Sequence, residues 1–223
     1  MTAKAYGYLV GLCLSVIMIF LLLQQDVDTW HSSGPLNPGH EKLACNECHI
    51  SSDGTIRQQL QANVQYLLED RKTESDFVYI KIGNKQCVAC HEREDDHHPS
   101  YRFNEPKFKE ARELIHPELC ISCHQEHLAK RVSQFNPTDC QICHKEMHIE
   151  EDSITVPHHE LIERKDWDTC LGCHDFHGNH DIKIEKTVGR HIKFNRILDY
   201  FNTGSSPYSG DIINKAKESI YEK

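Results

Sequence analysis

Cys45-Asn46-Glu47-Cys48-His49 carries a pattern that the chain writes five times. The other copies are Cys87-Val88-Ala89-Cys90-His91, Cys120-Ile121-Ser122-Cys123-His124, Cys140-Gln141-Ile142-Cys143-His144 and Cys170-Leu171-Gly172-Cys173-His174. With 11 Cys and 17 His in 223 residues, random placement would give roughly 0.04 such pentapeptides. Cys-x-x-Cys-His is the attachment sequence of c-type haem. Two thiols add across the two haem vinyl groups, and the adjacent imidazole turns back to the iron. Two intervening residues let both sulfurs reach one porphyrin edge and leave the next residue under the metal. The expected cofactors are therefore five covalently bound haem c. Their attachment residues are Cys45, Cys48, Cys87, Cys90, Cys120, Cys123, Cys140, Cys143, Cys170 and Cys173. Their proximal ligands are His49, His91, His124, His144 and His174.

Other uses of paired cysteines account for the pattern poorly. A zinc site or a redox dithiol can use Cys-x-x-Cys, but neither demands His directly after the second Cys every time. A disulfide scaffold would scatter its cysteines instead of locking them in i,i+3 pairs. Only Cys13 is left over, and it lies in an apolar segment.

Composition points the same way. Apolar residues make up 38% of the chain, and many of them lie in the first 23 positions. The remainder is poor material for a core of Leu, Ile and Val, so flat apolar cofactors are expected to act as core and an apo chain to be largely unfolded. The formal charge of −9 argues against nucleic acid and for redox partners that dock through a positive patch.

Residues 5–23 hold no charged side chain. At about 1.5 Å per residue they reach roughly 28 Å as a helix, enough to cross a bilayer core. Leu21-Leu22-Leu23 runs straight into Gln24-Gln25-Asp26 without a small-x-small cleavage site, so a retained signal-anchor is expected. Lys4 on one side and Asp26 and Asp28 on the other put the body of the chain outside. The expected location is a bacterial inner membrane, crossed once, with the haem domain in the periplasm.

The chain then divides into a signal-anchor helix over 1–25, a linker over 26–44, a pentahaem domain over 45–180, and a C-terminal helical extension and tail over 181–223. The expected fold class is mainly α and irregular: one transmembrane helix plus a compact head packed around haem. Within the head, Thr55–Lys72 reads as an amphipathic helix whose stripe of Ile56, Leu60, Val64, Leu67 and Leu68 packs on a haem or on the anchor. Phe77–Ile82 reads as a short strand. Glu105–Ile115 reads as a helix with Asn104 as N-cap and Pro106 in its first turn. Val188–Tyr200 is expected to be helical, and Asp211–Lys223 to be a polar tail. The motifs are unevenly spaced, so no solenoid of equal units is expected.

The sixth iron ligands decide between carrying electrons and doing chemistry. Outside the initiator and the apolar segment only Met147 is available, whereas twelve further His are, so bis-His ligation with low potentials is expected. His127 follows His124 by three residues and His177 follows His174 by three, so each pair shares a helical face. A distal ligand must approach the porphyrin from the opposite side. If His127 and His177 bind iron, they bind a haem other than their neighbour's. The expected distal set is His40, His116, His127, His158 (or His159) and His177. His31, His97, His98, His148, His180 and His191 stand in reserve.

The segment Gly34-Pro35-Leu36-x-x-Gly39-His40-x-x-Leu43-x-Cys45-x-x-Cys48-His49 resembles the start of membrane-anchored multihaem c-type cytochromes of the class III kind. Cys120-x-x-Cys123-His124-x-Glu126-His127 and Cys173-His174-x-x-His177-Gly178 are similar to segments of the same group. The resemblance covers about residues 34–180. It implies a haem-packed fold of helices and loops that passes electrons between periplasmic partners. One anchor plus a small multihaem head also resembles, more distantly, the NapC/NirT-type quinol dehydrogenases. Those typically carry four haems with a Met soon after the first motif, where this chain has Ile50-Ser51-Ser52.

The expected function is thus electron transfer from a membrane donor, with quinol as one candidate source, to a periplasmic or outer-membrane acceptor. No catalytic residue is assigned. The alternative is a reductase of nitrogen or sulfur oxyanions with one open haem, which five orthodox motifs and ample His disfavour.

Overall fold

The apolar N-terminal run forms α1 (Ala3–Leu22), twenty residues without an acidic side chain in its first turn or a basic one in its last. Its length of about 30 Å matches a bilayer core, and its large apolar side chains are exposed from Tyr6 to Leu21. It is long and apolar enough to span a membrane, a description that a signal sequence also meets. The computed structural model describes residues 3–22, 32–183, 185–208, 210, 212, 214, 216 and 217. His31, the first part of the expected linker and most of the expected tail lie outside these residues.

The rest is helical and irregular. Short helices α2 (Cys45–Cys48), α3 (Ile56–Leu67), α4 (Asn84–His91), α5 (Lys109–Ile115), α6 (Cys140–His144), α7 (His158–Glu163) and α8 (Phe194–Asn202) are joined by 3-10 turns and loops. Among the described residues there is no strand, only isolated bridges between Ser51 and Tyr79 and between His180 and Ile212. The expected strand at Phe77–Ile82 is reduced to the first of these. Val78 turns the chain with φ +66°, which ends the extended run after one bridge.

Each attachment motif sits on a short helical turn. Motifs one, two and four occupy α2, α4 and α6, and motifs three and five start in the 3-10 turns Cys120–Ser122 and Trp167–Gly172. One turn suits the chemistry: it places the two thiols of an i,i+3 pair on one side with the histidine following.

α3 begins where the sequence places it. The Gln58 N–H donates to the Thr55 hydroxyl (3.4 Å), and Gln58 Oε1 accepts from the Thr55 N–H (2.8 Å), a capping box. The helix docks through its polar side. Gln59 is buried, its amide donating to the carbonyls of Ser52, Asp53 and Gly54 and accepting from the Val78 N–H. The apolar stripe of Ile56, Leu60, Val64 and Leu67 faces outward.

The helix expected over Glu105–Ile115 is broken at its start. Pro106 disfavours helical backbone in the residue before it, and Glu105 is extended (φ −61°, ψ 145°). Separate 3-10 turns at Ser100–Asn104 and Pro106–Phe108 therefore precede α5, and Asn104 caps nothing, its amide donating instead to Tyr101 O. The helix expected from Val188 is likewise delayed to Phe194. The intervening Ile192 N–H donates to the Gly172 carbonyl (3.1 Å). A Cβ on Gly172 would meet Ile192 O at 2.5 Å, so this motif position needs glycine.

The polypeptide's own core is small. Among the described residues, Phe103, Ala111, Trp167, Leu171, Ile197 and Tyr208 are the buried apolar side chains, with Ile197 of α8 wholly enclosed. The accessible surface is 17068 Å², against about 10,500 Å² expected for a folded chain of this mass. The exposed α1 supplies part of that excess. Apolar side chains also stay exposed on and beside the motifs, at Ile50, Val88, Leu119, Ile121 and Phe176.

The second half of the expected linker is built into the head. Asn37 is buried and bridges to the third motif: its N–H donates to Glu126, its amide donates to Gln125 O, and its Oδ1 accepts from the N–H groups of Leu128 and Lys130. The C-terminal extension is also fastened, Tyr208 donating to Leu171 O (3.4 Å).

Candidate metal centres

Each of the five motif histidines faces one histidine from elsewhere in the chain. His49 faces His127 with ring centres 6.3 Å apart, His91 faces His40 at 5.9 Å, and His124 faces His177 at 6.1 Å. His144 faces His98 at 6.1 Å, and His174 faces His158 at 6.2 Å. Two metal–nitrogen bonds of about 2 Å each, plus roughly 1 Å from each nitrogen to its ring centre, add to about 6 Å. That is the spacing two imidazoles take when they share one metal. Among the described residues no group of three or more His, Cys, Asp or Glu gathers to hold a metal by side chains alone. The donor set is two imidazoles per centre, which suits an iron whose other four ligands come from a porphyrin.

The second nitrogen of every facing ring is engaged. His40 Nδ1 donates to Glu126 (3.0 Å), His177 Nδ1 to Asp96 (3.0 Å) and His158 Nδ1 to Asp152 (3.0 Å). His127 Nδ1 donates to the Gly34 carbonyl (2.9 Å) and His98 Nδ1 to the Phe176 carbonyl (2.5 Å). Carboxylates and carbonyls only accept. Nδ1 therefore carries the proton in all five, and the Nε2 lone pair is left for a metal. Among the motif histidines, His124 makes the same arrangement with Arg131 O (2.6 Å).

Electrostatics favour the neutral, ligating form. Burial pushes the pKa values of His91, His98, His124 and His174 below the ordinary imidazole value. Burial opposes the charge on Asp96, but its hydrogen bonds from His177 and from the His98 N–H, with Arg93 nearby, bring it below the usual carboxylate range. Arg93 also pins this loop to the fifth motif, donating to His177 O and to Asn179.

The cysteines meet across motifs. Cys87 and Cys120 lie within hydrogen-bonding reach, which lowers the Cys120 thiol to about 6 and raises that of Cys87. Cys140 and Cys170 form a second such pair, lowering Cys140 and raising Cys170. None of the eleven cysteines is in a disulfide. Motifs two and three are thus adjacent through their cysteines, and so are motifs four and five.

Four of the five expected distal residues, His40, His127, His158 and His177, stand opposite motif histidines. His116 does not. It ends α5 in a left-handed conformation (φ 47°), where its exposed ring reaches only Glu118 (3.3 Å). His98 takes the remaining position, against His144. The carboxylates Glu126, Asp96 and Asp152 were not singled out by the sequence reading. Of the three only Asp152 lies near its histidine in the chain, six residues before His158, whereas Glu126 and Asp96 meet His40 and His177 across 86 and 81 residues, which no local pattern marks. His180, a reserve, is buried in a separate polar cluster with Asp175 (2.7 Å) and Tyr200 (3.3 Å).

No protein-family model matches the chain, no curated protein is similar to it, and no solved structure matches its fold.

Proposed function

We propose that this chain is a membrane-tethered electron-transfer protein carrying five covalent haem c groups, each iron closed by two histidines. The observation that carries the reading is the set of five facing pairs, one for each Cys-x-x-Cys-His motif, at a nearly constant 5.9–6.3 Å. Haem supplies reversible one-electron chemistry at low potential when both axial ligands are histidine. The motif cysteines would attach each group, and the two facing imidazoles, the non-motif one held through its Nδ1 hydrogen bond, would hold its iron and leave no opening for a substrate.

The shortage of buried side chains supports the same reading, because flat apolar groups bound at the motifs would cover the side chains exposed around them. The adjacency of motifs two and three, and of motifs four and five, favours passage between centres over five isolated ones. α1 supports a membrane tether; in this reading the membrane is the inner one and the head lies on its periplasmic side, taking electrons from a membrane donor and passing them to a periplasmic or outer-membrane acceptor. The direct test is electron paramagnetic resonance of the oxidised full-length protein, paired with carbon monoxide binding to the reduced form. Five low-spin signals and negligible carbon monoxide uptake are expected. A high-spin haem that binds carbon monoxide or nitrite would replace this reading with that of a reductase.

A further inference from the structure

The acceptors behind the five facing histidines fall into two chemical classes. His40, His177 and His158 each give their Nδ1 proton to a carboxylate, of Glu126, Asp96 and Asp152 respectively. His127 and His98 give theirs to backbone carbonyls, of Gly34 and Phe176. We propose that Glu126, Asp96 and Asp152 are positioning residues that make three of the ligating imidazoles stronger donors, holding the centres of motifs two, three and five at lower potential than those of motifs one and four. This rests on the haem reading above.

A carboxylate on Nδ1–H draws the proton away and pushes electron density onto Nε2, whereas a neutral carbonyl does so much less. The more imidazolate-like ligand prefers ferric to ferrous iron, so it lowers the potential. The three carboxylates are built into place. Glu126 accepts from the Asn37 N–H (2.6 Å) through one oxygen and from His40 through the other. Asp96 accepts from the His98 N–H (2.8 Å) as well as from His177, and Arg93 lies 3.6 Å away. The Oδ2 of Asp152 accepts from both the N–H and Nδ1 of His158, which fixes the carboxylate against that imidazole. The side chains of Asp96 and Asp152 are only 20% and 13% exposed, which limits screening by water.

The test uses the full-length holoprotein with Glu126→Gln, Asp96→Asn or Asp152→Asn, changes that keep an accepting oxygen and remove the charge. Outer-sphere partners of this kind shift metal-ligand affinity by roughly tenfold or more. If that loss falls on the ferric state, a one-electron couple moves by about 59 mV per tenfold. In each variant one fifth of the haem absorbance should titrate at higher potential, and the low-spin g values of that one centre should move with it. Removing a nearby charge can raise a potential through space alone, so Glu118→Gln, beside the third motif but on His116, serves as control. It should leave every g value in place. Normal haem content with unchanged g values in all three variants overturns the proposal while leaving the haem reading intact. A wild-type protein without five haems overturns both.

Discussion

Replacing His98 by alanine separates the geometric assignment from the sequence-based one, which preferred His116. His98 is the partner of His144 at 6.1 Å, one of five such pairs. Its loss should therefore turn one fifth of the low-spin ferric signal high-spin and open one haem in five to carbon monoxide, with five haems still attached. The ring also stacks on Phe176 at 4.2 Å and 15°, a contact worth about 0.5–1.5 kcal/mol. At about 2–4 °C per kcal/mol for a chain of this size, the lost packing lowers Tm by roughly 1–6 °C and the lost ligand bond lowers it further, so the spin state is read well below the melting point of the variant. The assay is paramagnetic resonance with and without added imidazole, which should refill the opened site and restore the low-spin signal. His116→Ala should change neither spin state nor carbon monoxide uptake. A fully low-spin His98→Ala protein would falsify the assignment, and a high-spin His116→Ala protein would return the ligand to the residue the sequence favoured.

Further measurements follow from the same geometry. Mass spectrometry of the denatured full-length protein should find five covalently held haems and α1 still present; four haems, or a chain starting near residue 26, would remove one motif or the anchor from the account. Changing Cys87 and Cys90 together to alanine should destabilise the whole head, since few apolar side chains among the described residues are buried without a cofactor, and a normal melting curve for this variant would contradict the idea that the cofactors are the core. Gly34→Ala should disturb the first centre, because a Cβ there collides with the backbone oxygen of His127; a mixed-spin signal confined to one haem is expected, and an unaltered spectrum would mean that the Gly34 turn does not hold His127.

The parts of this molecule legible in the sequence are those whose causes are local. The motif histidines, the capped start of α3 and the apolar α1 each follow from residues a few positions apart. Pro106 was legible as a helix-starting residue, but its effect on Glu105 was not weighed, and the helix broke there. The outward face of α3 was not legible either: periodicity identifies an apolar stripe, and the fold turned the helix by satisfying Gln59 with three carbonyls and the Val78 N–H. The choice of His98 over His116 has the same character. Both lie near motifs, and what distinguishes them is that Phe176, from another part of the chain, offers His98 a stacking face and a carbonyl.

The order of the facing pairs along the chain has a consequence for assembly. His40 precedes the first motif yet faces the second, His127 follows the third yet faces the first, and His177 follows the fifth yet faces the third. His98 follows the second motif and faces the fourth. Only His158 and His174 are near one another in sequence. Four of the five centres therefore close long loops, and closing a loop costs entropy that grows slowly with its length. On the haem reading, two metal bonds would offset that cost at each centre, where a sparse apolar core would not. The loops also overlap: the segment from His40 to His91 lies partly inside that from His49 to His127, which in turn overlaps the segment from His124 to His177. Opening one centre loosens the loops that hold the next. Stability and conduction then depend on the same bonds, which is why a distal substitution such as His127→Ala is expected both to open one iron and to slow electron passage through the head.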